Sequence, residues 1–389
     1  MKKRLGMIVL ALLPGALPAA DDTLSGSLDT RVRYASVAQD NALEDADALT
    51  ARLSAQGLWK PSGQWELLVD IEAIGDLAGD YNNTTNGEGG YSVVPDPDGI
   101  ELNRAQVAYK GIDSTVVTVG RQRIKLDNDR FIGNVGWRQN EQTYDSVLIT
   151  NTSLPDTTIK AGYIHEVHRI FGDDNPNGDW PMSSPIVNVN YAGWDNATIV
   201  VYGYFLSFDD LPLNSQRTIG VRFDRTSKVG EVGFKYGFEL ADQAPYRDGR
   251  NSNDARYRKL HAAATWQGVT FAVGQEFLSG DGTYGFATPL ATAHAFNGWA
   301  DLFLATPADG LDDRFISVGG KVAKFKTLLR YHTYSADAGG RDYGTEIEGI
   351  ATRKFSNGIN LGLKFASYAS DGFGVDTDKA WIFASYRYQ

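Results

Sequence analysis

The chain has 389 residues, 42% of them hydrophobic and 12% aromatic, with 42 Gly, no Cys and a formal charge of −11. The lack of cysteine excludes disulfides and thiolate metal centres, and the acidic balance argues against nucleic acid as a partner. Mean hydropathy is −0.30, and past the N-terminus no apolar run approaches the ~18 residues that a helical membrane span needs.

In chain order, residues 1–20 read MKKRLGMIVLALLPGALPAA. Lys2, Lys3 and Arg4 precede the apolar run Leu5–Leu13, and small residues follow at Ala19 and Ala20. This is the pattern of a secretory signal peptide, with cleavage expected after Ala19 or Ala20. Residues 21–389 are then one exported domain. Without Lys2, Lys3 and Arg4 it keeps 34 basic side chains against 48 acidic ones, a formal charge of −14.

Alternation of polar and apolar residues runs through this domain. Asp29, Arg31 and Arg33 oppose Leu28, Val32 and Tyr34; Asp70 and Glu72 oppose Val69, Ile71 and Ala73; Gly362 and Lys364 oppose Leu361, Leu363 and Phe365. A period of two predicts strands with one face in water and the other in lipid or core. Tight turns are expected at Lys60–Gly63, Gly111–Asp113, Asn151–Asp156, Gly193–Asn196, Thr226–Val229, Gln267–Gly268, Ala323–Phe325 and Lys354–Gly358. Other connections fall between them, often longer, among them Gly75–Gly99, Leu126–Gly136, Phe171–Ser183 and Ser279–Asp312. Short and long alternate to the C-terminus, which ends in the amphipathic strand AWIFASYRYQ. The predicted fold is all-β: a transmembrane antiparallel up-and-down β-barrel of about 18 strands, with short periplasmic turns and longer extracellular loops. Its expected place is the outer membrane of a Gram-negative bacterium, among lipids and delivered by the outer-membrane assembly machinery.

The stretch Val119–Asp145 gathers the most charge. Arg121, Arg123 and Lys125 share one face, Arg130 sits in the connection Leu126–Gly136, and Arg138 is expected to open the returning strand. By alternation the lumen also receives Arg31, Arg33, Arg52, Arg104, Arg222 and Arg330, besides Lys160, Lys235, Lys364 and Arg387. Arg selects carboxylates because its planar fork bonds both oxygens and stays charged. The competing reading is that lumen charges, among them Asp145, only pair across strands and stiffen the wall. The expectation is that Arg121, Arg123, Arg130 and Arg138 touch solute, held by Asp127, Asp129 and Asp145, while the acids of the outer loops, including Asp96, Asp98 and Asp173, stay outside.

Three stretches, Gly120–Ser146, His168–Trp180 and Phe286–Asp313, resemble the alginate-export family of outer-membrane porins, and YGTEIE at Tyr343–Glu348 is similar too. The resemblance implies a monomeric eighteen-stranded barrel with an electropositive, arginine-rich constriction that passes an acidic polysaccharide. Other small anionic solutes fit the same chemistry, and a weakly selective general porin is the alternative.

Asp173, Asn175 and Asn177 are spaced like the start of an EF-hand calcium loop, but position twelve is Ser184 and no helices flank it, so a solvated turn is expected and no metal is assigned. No cofactor motif occurs. The five His include no HExxH, and neither GxSxG nor a phosphate loop is present, so an enzyme is not expected.

Overall fold

The computed structural model describes residues 23–388. The expected signal peptide lies outside the described residues. The first six strands are β1 (Leu24–Gln39), β2 (Ala46–Ser62), β3 (Trp65–Asp80), β4 (Gly99–Ile112), β5 (Thr115–Gln122) and β6 (Thr143–Asn151). The next six are β7 (Thr157–His168), β8 (Asp179–Trp194), β9 (Ala197–Leu206), β10 (Gln216–Val229), β11 (Val232–Pro245) and β12 (Ala255–Trp266). The last six are β13 (Val269–Leu278), β14 (Leu311–Val322), β15 (Phe325–Ser335), β16 (Asp342–Lys354), β17 (Asn360–Ser370) and β18 (Thr377–Tyr388). Each pairs antiparallel with its sequence neighbour, and β1 pairs with both β2 and β18, so the sheet closes on itself. The expected eighteen-stranded barrel is what forms, and closure leaves no strand edge unpaired.

The two faces are sorted as lipid outside requires. Outward positions such as Val69, Ile71, Val201, Leu260, Phe271, Ile316, Leu363 and Ile382 are exposed large hydrophobics, whereas the inward Asp70, Glu72, Glu239, Glu276, Glu346, Glu348 and Lys364 are buried. This is the reverse of a water-soluble protein, and it follows directly from the period-two pattern. Trp59, Trp65, Trp194 and Trp266 stay exposed beside the short turns, at the interfacial level where aromatic belts sit. The turns themselves are as tight as predicted. Between β12 and β13, Gln267 and Gly268 both take left-handed backbone (φ 48° and 80°), the two-residue geometry that matches strand twist.

Differences from expectation lie at the opposite, long-connection end. β3 runs on to Asp80, past Gly75. β5 stops at Gln122, so Arg123 and Lys125 lie beyond the strand although they continue its alternation. β6 begins only at Thr143, so Arg138 opens no strand. The connection spans residues 123–142 rather than Leu126–Gly136, because this chain turns into the barrel and satisfies its backbone there instead of in the sheet.

Candidate functional site: an arginine wall beside an inward constriction

Two connections fold into the lumen and lock together. Residues 123–142, between β5 and β6, meet residues 279–310, between β13 and β14, through a parallel bridge of Ile132 and Leu290. Gly133 N–H donates to Leu290 O (3.0 Å), Thr292 N–H to Asp129 O (2.9 Å) and Val135 N–H to the Thr292 hydroxyl (3.1 Å). Gly133 is needed at this crossing, since a Cβ there would lie 2.3 Å from Thr292 Oγ1. Tyr144 and Gln142 donate to Gly133 O (2.6 and 3.1 Å) and close the joint from the β6 side. Phe131 seats among Tyr202, Tyr204, Tyr257 and Phe286, with ring centres 5.2–6.0 Å apart.

Arg130 and Arg138 were expected to touch solute, and the structure buries both. Arg130 is 3% exposed; its Nε donates to Glu276 on β13 (2.7 Å), its Nη1 to Thr288 (3.2 Å) and its Nη2 to Asn297 (3.0 Å). Arg138 donates to Asp301 (3.0 Å), which also takes Lys379 Nζ of β18 (2.9 Å) and His294 Nδ1 (2.6 Å). Both arginines therefore bind one loop to the other or to the wall. Their length is the reason: from the middle of an inward loop, a guanidinium reaches a buried carboxylate that cannot be left unpaired.

Half-buried arginines line one arc of the wall. Arg31 of β1 lies opposite Arg52 of β2, and Arg104 of β4 neighbours Arg121 of β5. Arg52 pairs with Asp29 and, at 3.5 Å, with Glu72. Arg104 donates twice to Asp70 (2.7 and 3.0 Å), and Arg121 bonds Asp145 (3.1 Å). A register shift after Asp70 turns both Asn103 and Arg104 inward onto Asp70, which strict alternation forbids. Arg123 forks onto Glu141, and Lys125 bonds Asp129 (2.8 Å). Of the three acids expected to hold arginines, Asp145 bonds Arg121, whereas Asp129 bonds Lys125 and Asp127 accepts from Asn188 (2.8 Å).

Depth distinguishes the partners on this arc. Arg123 is 36% exposed over a Glu141 side chain at 2%, and Lys125 is 52% exposed over Asp129 at 17%. Burial alone would raise the Glu141 carboxyl, but the Arg123 fork, helped by Asn103 and Asn134, holds it below the usual carboxylate range. Arg31 donates only to neutral acceptors, Gln139 Oε1 (2.8 Å), Gly136 O (3.1 Å) and Arg138 O, so among the described residues no carboxylate lies within ion-pair distance of it. At Arg123 and Lys125 the cation stands in front and the acid behind, whereas Asp29 and Asp145 are more open than Arg52 and Arg121.

Three further lumen arginines lie elsewhere. Arg33 is buried on Asp96, so one acid expected outside is inside; Asp96 also accepts from Gln139 N–H (2.9 Å), which draws the outer connection of residues 81–98 onto the constriction. Arg222 bonds Asp224 (2.6 Å) on β10, and Arg330 bonds Glu348 (3.0 Å) on β15, both across the barrel from the arc.

Sequence reasoning missed the cluster around Lys364. Its Nζ lies 4.0 Å above Trp137 and 3.9 Å above Trp299, with Trp381 at 5.2 Å, and it bonds His294 Nε2 (2.6 Å). Burial pushes the His294 imidazole well below its ordinary range; Asp301 opposes this and Lys364 adds to it. The ring is therefore neutral, donating from Nδ1 to Asp301 and accepting at Nε2 from Lys364. Beside it, Trp299 N–H donates to Glu346 (2.6 Å) and Glu348 (3.0 Å). Trp137, Trp299 and Trp381 in a lumen-facing context were the available signal.

The Asp173, Asn175, Asn177 spacing does not build a calcium loop. Asn175 spends its carbonyl on Asn177 N–H (2.8 Å) and its amide on Thr84. Asp173 falls instead near His168 and Asp179, and a second group joins Asp145, Glu166 and His168. His168 bonds Asp179 (2.6 Å) and Asp145 (3.0 Å) with its two nitrogens, which accounts for the cluster as an ion pair network.

Comparison with protein-family models and with curated proteins gives no match. Solved structures do match. Acinetobacter baumannii OccAB4 superposes with a TM-score of 0.75 at 15% identity, over 96% of this chain and all of that one. Pseudomonas aeruginosa OccK9 (OpdG) gives 0.74 at 15% identity, over 94% and 98% of the two chains. Pseudomonas aeruginosa OpdK, solved with vanillate, gives 0.71 at 13% identity over the same shares. At these identities the likeness is one of fold: an eighteen-stranded barrel.

Proposed function

We propose that the chain is an outer-membrane channel that passes small carboxylated solutes along its arginine wall. The observation that carries this is the layering of charge on the β1–β5 arc, where Arg123 and Lys125 stand exposed over Glu141 and Asp129 and Arg31 has no acidic partner. Local field rather than the net negative charge governs permeation. Guanidinium forks set along one wall offer a carboxylate successive bidentate contacts, each exchanging protein for the next. The barrel fold places the chain in an outer membrane, as does its likeness to OpdK, whose solved structure is described as an outer membrane protein. Vanillate, present in one OpdK structure, is itself a carboxylate.

The resemblance to alginate exporters supports acidic saccharides as a second solute class. A filled lumen favours the smaller solute: residues 123–142 and 279–310 meet across it, leaving a polymer less room than a single ring acid. Planar-bilayer recordings test both. Reversal potentials under a salt gradient should show anion preference, and small aromatic carboxylates should block current where neutral sugars do not. Equal block by both leaves a general diffusion porin. Stronger block by long oligouronates than by single ring acids would favour the saccharide.

A further inference from the structure

We propose that the lipid-facing surface of β10–β14 binds one phosphorylated, multiply acylated lipid of the outer leaflet. This goes beyond solute passage and rests on the barrel's membrane-spanning fold alone. The outward side chains Val201, Ile219, Val221, Leu240 and Phe277 floor a groove of about 800 Å³ on the barrel exterior. At the end carrying the long connections, the same faces present Arg217, Arg256, Arg258 and Arg314. The register fixes their placement. Ile219, Asp242 and Arg256 form one row across three strands, and Val221, Leu240, Arg258 and Phe277 form the next. Arg256 and Arg258 thus stand in the same rows as the apolar floor, Arg217 one outward position beyond Ile219, and Arg314 beside Gln275 on the next strand, with neighbouring strands ~4.8 Å apart.

These arginines are not absorbed by the protein. Arg256 is 80% exposed, and among the described residues its only acidic contact is Asp242 at 4.0 Å. Arg314 is 66% exposed beside Asp312 (2.7 Å), and Arg258 lies 4.1 Å over the Phe277 ring, which leaves its donors free to point outward. Arg217 is exposed and among the described residues makes no ion pair. Asp337 also borders the groove and, with Asp242 and Asp312, tempers its charge. On the opposite side, the outward residues at the same end are acidic: Asp47 and Asp80 of β2 and β3, and Asp378 of β18. The basic sector is therefore local.

Outward residues beside the long connections sit at the head-group level of the outer leaflet, where an exposed arginine meets either water or phosphate. A phosphorylated head joined to acyl chains matches exposed arginines set beside an apolar floor, and guanidinium forks bind phosphate bidentately.

The test uses the full barrel in neutral detergent, read by native mass spectrometry. The probes are a diphosphorylated, multiply acylated disaccharide, its dephosphorylated form, and inorganic phosphate. One retained adduct of the phosphorylated lipid is expected. The combined variant R217Q/R256Q/R258Q/R314Q should weaken it roughly tenfold or more, whereas R225Q/R353Q, at the short-turn end, should leave it unchanged. The proposal is overturned if the fourfold variant keeps the adduct, if the control pair loses as much, or if free phosphate is held as well as the lipid. Should the fourfold variant fail to fold, wild-type barrel binding the dephosphorylated lipid equally well also overturns it. Reversal potentials of the fourfold variant should equal wild type, so failure of the channel reading is seen separately.

Discussion

The arc β1–β5 and the arc β11–β18 carry the same currency, basic side chains against carboxylates, and use it in opposite ways. Just past β5 the cation is nearer the lumen: Arg123 over Glu141, and Lys125 over Asp129. In the two pairs that anchor the loops towards β11–β18 both partners are sealed: Arg130 on Glu276 (3% exposed each) and Arg138 on Asp301 (6% each). The first arrangement leaves donors for a passing anion. The second holds residues 123–142 and 279–310 across the barrel. Which task an arginine performs is decided by how far its own guanidinium is sealed, since Glu141 lies as deep as Glu276, and not by the spacing of arginines in the chain.

The largest effect is expected where both partners are buried. Glu276→Ala strands the Arg130 guanidinium in a sealed site, and such a break costs about 3–5 kcal/mol. The constriction should detach, read as a rise in single-channel conductance and in current noise. Replacing both partners, Arg130→Met with Glu276→Met, should recover most of the loss. If the single variant conducts like wild type, the sealed arc does not hold the loops.

Next in size is Lys364→Met. It keeps bulk among Trp137, Trp299 and Trp381 but leaves His294 Nε2 without its donor. An unsatisfied buried polar atom costs about 1–3 kcal/mol. Residues 279–310 should become cleavable by added protease while the barrel stays intact. Unchanged resistance would move the anchoring elsewhere, to Trp299 N–H on Glu346 and Glu348.

On the open arc the effect is on solute rather than on structure. Arg31→Gln and Arg121→Gln each remove one charge-assisted contact, of about 1.5–3 kcal/mol at full strength and less where water shares the site. Block of the current by a small aromatic carboxylate should weaken roughly tenfold or less in each, with conductance near wild type. Arg130→Gln should not share this signature, because it acts on the loops. Equal loss of block in all three would erase the distinction between the arcs.

How much of this was legible in the sequence follows the same division. Strand number, short turns and most inward or outward facing follow a period of two, so Arg31, Arg52, Arg104, Arg121, Arg222 and Arg330 were placed on the lumen side. Arg123 and Lys125 keep that alternation past the end of β5, and so read as strand although they are not. What failed is everything the lumen's third dimension decides. Arg130 and Arg138 looked equivalent to Arg121 because linear spacing says nothing of Glu276 or Asp301, which arrive from β13 and from residues 279–310. Asp96 was assigned to the exterior by its loop, yet it is carried inward onto Arg33. Asn103 was hidden by a bulge, a one-residue departure that flips facing without leaving a compositional mark.

The smallest effect expected is that of pH on the front-and-back pair itself, and it sharpens the comparison because Glu141 is a sealed carboxylate whose cation is exposed. Glu141 is held below the usual carboxylate range by the Arg123 fork. A carboxylate whose folded pKa is depressed contributes stability that is fully present above its unfolded value, about 4.3, and is lost as the pH falls through the lower folded value. Between pH 8 and pH 5 the pair therefore stays intact. The conductance difference between wild type and Glu141→Gln should be constant over that interval. It should shrink only below the ordinary carboxylate range, where wild type becomes protonated and comes to resemble the amide. A difference that already closes between pH 7 and pH 5 would mean that Arg123 does not hold Glu141 ionised. In that case the exposed cation and its buried partner are not coupled, and the layering of charge on this arc does not govern the pore.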